Sequence, residues 1–163
     1  MNRLGSDIKI TGLNPESVQG DRVYGKYFDK LCEGFATLDI TDCPDLAPVL
    51  MALGAAKSGV TLTGTARLRA KESDRGAAMA EELSKFGIKT ELHENTLTVH
   101  GGQLKAPSVP ICSHKDHRIV MACAVLLMLT GGETDNAEDV KKSFPDFFER
   151  LSSLGAEVKI VGT

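Results

Sequence analysis

Two stretches of this chain are apolar on nearly every face of a helix, and such a helix has to be buried. One runs from Leu46 to Lys57, the other from Asp116 to Leu129. A helix that packs on one side only keeps a polar stripe for water, so two without one demand a fold that surrounds them. The chain has 163 residues, enough to bury roughly two thirds of its unfolded surface around one core. Charged clusters stand at the mouths of these helices: Asp42-Cys43-Pro44-Asp45 before the first and Asp116-His117-Arg118 at the second. Lys71-Glu72-Ser73-Asp74-Arg75 opens a third helix, and Lys141-Lys142 adds a cationic spot. Helix N-termini present free N–H groups and a positive dipole end, so acid and base gathered there suit a multiply charged, phosphorylated small molecule.

The remaining elements follow from periodicity and punctuation. Ile8 to Thr11 reads as a strand stopped by Gly12, and about Asp21 to Leu31 as an amphipathic helix closed by Gly34. Phe35 to Ile40 and Val60 to Thr63 read as strands. Asp45 fits an N-cap, with Pro48 in the first helical turn where its missing N–H costs least. A helix is expected from about Glu72 to Phe86, with Met79, Leu83 and Phe86 on one stripe and Gly87 at its end. Ile88–Leu92 and Thr96–His100 form a hairpin across Glu94-Asn95. Strands near Glu133–Asp135 and Glu157–Val161 flank a last helix from Pro145 to Leu154.

One pattern repeats 68 residues apart: Glu82-Leu83-Ser84-Lys85-Phe86-Gly87-Ile88-Lys89-Thr90 and Arg150-Leu151-Ser152-Ser153-Leu154-Gly155-Ala156-Glu157-Val158. Each is an amphipathic helix, a glycine and a strand; Tyr27 to Gly34 is a weaker copy. That period is too long for a solenoid. It implies repeated β-α-β-α units with apolar helices inside and amphipathic ones against the sheets. The chain opens on a strand and the repeats stop at two and a fraction, as expected of a piece of a longer polypeptide.

Composition narrows the function. The chain is 42% apolar and 25% charged, with a net charge of -3, which argues against a nucleic-acid or anionic-membrane partner. Aromatic residues are only 5%, with no Trp, so stacking platforms for single strands are poorly supplied. The four cysteines, Cys32, Cys43, Cys112 and Cys123, lack C-x-x-C spacing and read as reduced thiols of a cytoplasmic protein. Ile119–Leu129 is half a membrane span, and the start Met1-Asn2-Arg3-Leu4 reads as neither signal peptide nor anchor. The histidines have no zinc-ligand spacing, and no GxGxxG, Walker A, H-E-x-x-H or nucleophile elbow occurs.

Each cluster has a plain structural explanation. Asp45 could only cap, 71–75 could be a solvated turn, Asp116 could cap while His117 and Arg118 serve packing, and Lys141-Lys142 could be a solvated approach. Capping, however, accounts for one acid and not for Asp39, Asp42 and Asp45 around a restricted proline. Glu72 and Arg75, three apart, would share a helix face, with Lys71 across a turn. A partly desolvated carboxylate suits proton transfer, an arginine fork suits carboxylate or phosphate, and a lysine supplies a point charge or a proton.

The segments 39–48, 69–75 and 116–121, with Lys142-Ser143-Phe144-Pro145-Asp146-Phe147-Phe148, resemble in order the C-terminal domain of the 5-enolpyruvylshikimate-3-phosphate (EPSP) synthase family, the 3-phosphoshikimate 1-carboxyvinyltransferases. The resemblance covers essentially the whole chain. It implies an α+β fold, an inside-out α/β barrel domain built from three β-α-β-α-β-β units, of which residues 1–163 form one partial C-terminal domain carrying about two. The stretch from Gly20 to Leu38 is short for the family, implying a missing pair of strands near Gly34. The family transfers the enolpyruvyl group of phosphoenolpyruvate to the 5-hydroxyl of shikimate 3-phosphate and releases phosphate, in the pathway to chorismate and the aromatic amino acids, with no cofactor or metal.

Carried over by position, Asp45 holds and deprotonates the shikimate hydroxyl, Glu72 shuttles a proton at the phosphoenolpyruvate carbon, and Lys142 is general acid and phosphate contact. Arg75 and Arg118 clamp the phosphoenolpyruvate carboxylate and phosphate, Lys71 approaches the shikimate, and His117 lines the site. The partner implied is the N-terminal domain of the same polypeptide, in a monomeric parent enzyme, and the chain alone is expected to fold without turning over. The rival readings are a non-catalytic phosphometabolite-binding or protein-interaction domain, and transfer to a different alcohol.

Overall fold

The computed structural model describes residues 11, 12, 14 and 16–161; the strand expected from Ile8 to Thr11 falls outside them except for Thr11. A 3-10 turn, Gly20–Val23, leads into α1 (Tyr24–Glu33), then β1 (Ala36–Asp39), a 3-10 turn Pro44–Leu46 and α2 (Ala47–Ala56). β2 (Gly59–Thr63), a 3-10 segment Thr65–Ala70 and α3 (Arg75–Lys85) follow, then β3 (Thr90–Leu92) and β4 (Thr96–His100). The chain continues through α4 (His117–Thr130), a 3-10 segment Ala137–Lys142 and α5 (Phe147–Ser153).

The four strands form one mixed sheet in the order β1-β2-β4-β3, β1 parallel to β2 and the other pairs antiparallel. Its register follows the side-chain period of two: Val60 faces Val99 and Leu62 faces Leu97 across β2 and β4. These four are buried, with Leu38 of β1, while Thr61 and Thr98 pair their hydroxyls at 2.8 Å on the opposite side. A one-residue slip would turn every one of those apolar groups outward.

α2 crosses between the parallel strands, as a parallel pair requires, and eight of its ten residues are buried. Full burial of a leucine such as Leu50 contributes about 1.5–3 kcal/mol, which is why a helix with no polar face settles here. Close approach to the sheet depends on Gly54, where a Cβ would meet Val60 Cγ1 at 2.5 Å. α4 packs on α2, and a smaller cluster of Val120, Ala124, Val140, Phe147 and Leu151 ties α5 to its other side. Among the described residues, no helix is long and apolar enough to cross a membrane.

Several sequence expectations need correction. α3 starts at Arg75 rather than near Glu72, because Asp74 caps it by accepting the Ala77 N–H at 3.2 Å. Asp45 is not an N-cap: it sits inside the 3-10 turn, and Leu46 precedes α2 with no side-chain cap. Lys141 and Lys142, read as a cationic spot on the approach to the last helix, end a 3-10 segment. α5 begins at Phe147, not Pro145. The strand near Glu133 is reduced to a single parallel bridge between Thr134 and Ile111, and Glu157–Val161 forms no strand. An extended segment becomes a strand only beside a partner, and none of the described strands pairs with that tail.

Candidate active site

The site gathers where β1, the end of β2 and the starts of α3 and α4 deliver short charged loops to one place. Asp45 is held there by the 3-10 turn that precedes α2. Lys71 has extended backbone after the 3-10 segment that follows β2, so it and Glu72 reach inward from a loop. Arg75 is the first residue of α3 and Arg118 the second of α4.

Arg75 is the hub. Its guanidinium is fully buried and meets three carboxylates: Nε donates to Asp116 Oδ2 at 2.8 Å, Nη1 to Asp45 Oδ1 at 2.8 Å, and Nη2 to Glu72 Oε2. The fork geometry of arginine allows this, and a lysine point charge could not satisfy three separate acids with fixed directions. Asp45 also accepts Lys71 Nζ at 2.9 Å and Arg118 Nη2 at 2.9 Å. Asp116 has two tasks: its Oδ1 caps α4 by accepting the Arg118 N–H at 3.0 Å, while Oδ2 takes Arg75 and, at 3.3 Å, Ser73 Oγ.

The charges set the proton affinities. Partial burial pushes the Asp45 carboxyl upward, but Lys71, Arg118 and Arg75 outweigh it and hold the group below the usual carboxylate range. Burial likewise opposes charge on Arg75, and Asp116, Asp45 and Glu72 more than restore it, raising its affinity for the proton. The cluster sets three cations, Lys71, Arg75 and Arg118, against three acidic side chains, Asp45, Glu72 and Asp116.

Asp45, Lys71, Glu72, Arg75 and Arg118 thus come together by direct contact. Lys142 does not touch them; its Nζ donates to the Lys115 carbonyl at 2.6 Å, one residue before Asp116, and lies 3.5 Å from Asp139. His117 is buried, with Nδ1 lacking a hydrogen-bond partner. Beside Asp45 and Arg118 a groove of about 360 Å³ runs between α2 and α4, otherwise lined largely by apolar groups such as Leu46, Val49, Met121 and Phe144.

Against known proteins, the family model described as EPSP synthase (3-phosphoshikimate 1-carboxyvinyltransferase) matches residues 29–151. The chain belongs to the EPSP synthase family. It is 46% identical to the 3-phosphoshikimate 1-carboxyvinyltransferase of Halobacterium salinarum, over 94% of this chain and 40% of that protein. The Clostridium kluyveri enzyme of the same name is 37% identical over 97% of this chain and 41% of its own length. Among solved structures, EPSP synthase from Acinetobacter baumannii superposes with a TM-score of 0.68 at 30% identity, covering 76% of this chain and 30% of that one. The chain thus spans about 40% of the length of these two curated relatives, and its α+β fold with a mixed sheet is that of EPSP synthases.

Within this EPSP synthase framework, sequence reasoning missed two features. Asp116 was read as a cap, and its bond to Arg75 spans 41 residues, a separation that no local pattern reveals. The second is a polar cluster at the far end of α3. Glu82 is fully buried, and its carboxylate accepts Lys85 Nζ at 2.7 Å, the Cys112 N–H at 2.9 Å and His114 Nε2 at 2.7 Å. A signal was present: Arg75, Met79 and Glu82 follow the i, i+4, i+7 spacing of one helix face, which places both charges on the buried stripe. Glu81, Glu82 and His114 offer ligand atoms within 4.8 Å of one another. The ammonium of Lys85 already occupies the charge-neutralising place on Glu82, so the group is better accounted for as an ion-pair network than as a metal centre.

Proposed function

We propose that this chain supplies one half of the active site of an enzyme that transfers the enolpyruvyl group of phosphoenolpyruvate to the 5-hydroxyl of shikimate 3-phosphate. The observation that carries the reading is the convergence of Asp45, Glu72 and three cations into one balanced, partly open cluster. Two anionic substrates need several cations in fixed directions, and a carbon–oxygen exchange with two proton transfers needs acids and bases beside them.

In the addition step, the acceptor hydroxyl oxygen bonds to C2 of phosphoenolpyruvate, its proton passes to Asp45, and C3 gains a proton from Glu72. In the elimination, the bond from C2 to the phosphate oxygen breaks, the new methyl group returns a proton to Glu72, and Lys142 protonates the departing phosphate. Asp45 as found here is a weak base, because Lys71, Arg118 and Arg75 depress its proton affinity. Substrate anions that draw Arg118 and Lys71 toward themselves relieve that depression, so binding itself prepares the base. The Glu72 side chain is 42% exposed, open enough to serve a ligand. Arg75, buried among carboxylates, orients the acids more directly than it grips substrate, while Arg118 and Lys71 supply the mobile positive charge and His117 backs the site.

On this reading residues 1–163 are part of the C-terminal domain of a two-domain, monomeric cytoplasmic transferase that needs no cofactor. The domain is an inside-out barrel of the enolpyruvyltransferase type, of which this chain carries about two of three units. The half cleft alone leaves the reacting groups in water, so turnover requires the N-terminal domain. The test is phosphate release from the two substrates by the chain alone and by the chain joined to a complementary N-terminal portion. Turnover only when joined supports the proposal. Binding of both substrates with no turnover in the joined protein would favour a metabolite-binding domain instead.

A further inference from the structure

We infer that Glu82 is a positioning residue for this reaction: it clasps the turn at 112–115 in the one conformation that delivers Asp116 to Arg75 and the Lys115 carbonyl to Lys142. The inference rests on the enolpyruvyl-transfer reading of the site, and it concerns a carboxylate that no step of that reaction uses.

The turn is strained and has to be held from outside. His114 and Lys115 are consecutive non-glycine residues with φ of 51° and 58°, the left-handed region in which the Cβ of an L-residue crowds the following carbonyl oxygen. Such a conformation persists only where the surroundings over-determine it. On one side Glu82 accepts the Cys112 N–H at 2.9 Å and pairs with His114 Nε2 at 2.7 Å and Lys85 Nζ at 2.7 Å. On the other, Asp135 Oδ1 accepts the Ser113 N–H at 2.7 Å. Inside the turn, Ser113 Oγ accepts the Lys115 N–H at 3.1 Å and the Ser113 carbonyl accepts the Asp116 N–H at 3.0 Å.

What leaves the turn is the machinery. The Lys115 carbonyl takes Lys142 Nζ at 2.6 Å, and Asp116 takes Arg75 Nε at 2.8 Å. Glu82 and Arg75 stand on the same rigid helix, so the clasp fixes Asp116 from the element that also carries Asp116's cationic partner. A buried charge is a costly way to fill space, since apolar groups of similar volume are commonly as stable or more so. A buried carboxylate that holds a backbone N–H and a histidine has a geometric task.

The test has a spectral arm and a kinetic arm. In the 163-residue chain, the ¹⁵N–¹H resonance of Arg75 Nε reports its bond to Asp116. Glu82→Ala removes the clasp, Glu82→Gln keeps an acceptor for Cys112 without the charge, and His114→Phe cuts one link if neither Glu82 variant folds. The Arg75 Nε–H and Lys115 amide signals are expected to move in Glu82→Ala and His114→Phe, with Glu82→Gln restoring them in part.

In the chain joined to its N-terminal portion, Glu82→Ala lowers kcat by about 10- to 100-fold, as small misplacements of reacting groups do. The KM values stay within about twofold, and Glu82→Gln recovers part of kcat. Folded variants with an unmoved Arg75 signal overturn the clasp, as does a kcat loss matched by the loss of folded protein. The spectral arm needs no turnover. A joined wild type that releases no phosphate would count against the proposed function, while the Arg75 signal still decided the clasp.

Discussion

Arg75 and Glu82 lie two turns apart on the same buried face of α3, and their surroundings are opposites. Arg75 is a buried cation among acids whose outer members remain open: the side chains of Asp45 and Glu72 are 30% and 42% exposed. Glu82 is a buried anion held by Lys85, His114 and the backbone, and it keeps no exposed edge. One end of the helix can exchange its partners with an arriving ligand and the other cannot. Burying a charge is therefore not itself a sign of function; the exposure of the counter-charges separates a site from a fastening.

The largest effect that would sharpen this contrast is loss of the hub. Arg75→Met leaves Asp116 buried without its cation, and removing one partner of a buried pair costs about 3–5 kcal/mol. Urea denaturation of the chain measures this, and a loss below about 1 kcal/mol would mean that the hub is not sealed as described. Next in size is a change that spares stability and removes chemistry. Asp45→Asn should lower kcat of the joined enzyme by about 10²–10⁴-fold, the usual worth of general acid–base help. Its midpoint in urea at neutral pH should fall only slightly, by the modest contribution of a partly exposed ion pair.

A smaller effect appears in acid. The folded proton affinity of Asp45 is lowered, so its contribution is fully present above the unfolded value of about 3.9 and is lost as pH falls through the folded value. Wild type should lose more stability than Asp45→Asn between about pH 5 and pH 2; equal losses would show that the cations do not act on Asp45. The smallest change belongs to the fastening. Lys85→Met should cost about 1 kcal/mol, since His114 and the Cys112 N–H still meet Glu82. A cost as large as that of Arg75→Met would erase the distinction between the two ends.

How far the sequence could be read depends on the range of the interaction. Alternation in Val60–Thr63 and Thr96–His100 and the polar-free faces of α2 and α4 are local signals, and they mark those elements and their burial. Boundaries were less legible: Glu72 precedes α3 because Asp74 wins the capping competition, and Asp45 gave up a capping role for a three-way ion pair. The two copies of the repeat show the limit most clearly. Ile88 N–H bonds to Leu83 O at 3.1 Å and Gly87 N–H to Ser84 O at 2.9 Å; Ala156 to Leu151 and Gly155 to Ser152 match them at 3.1 and 2.9 Å. Both helices thus end in the same Schellman turn. Then the first copy enters β3 beside β4, while the second pairs with none of the described strands. The helix end is written locally, and the strand is granted by a neighbour. Likewise, the motif residues Asp45, Glu72, Arg75 and Arg118 were visible, whereas the tie from Glu82 to His114, 32 residues apart, was not.

The contacts of the hub carry a consequence for how the chain folds. The link between Asp45 and Arg118 closes a loop of 73 residues, and that between Arg75 and Asp116 one of 41. Such closures charge their entropy before any contact rewards them, so the hairpin of β3 and β4 and the individual helices form first and the ionic hub locks last. A burst of backbone order followed by a slower appearance of the Arg75 side-chain signal during refolding would display that sequence of events, with the ion-pair cluster serving as the final check on topology.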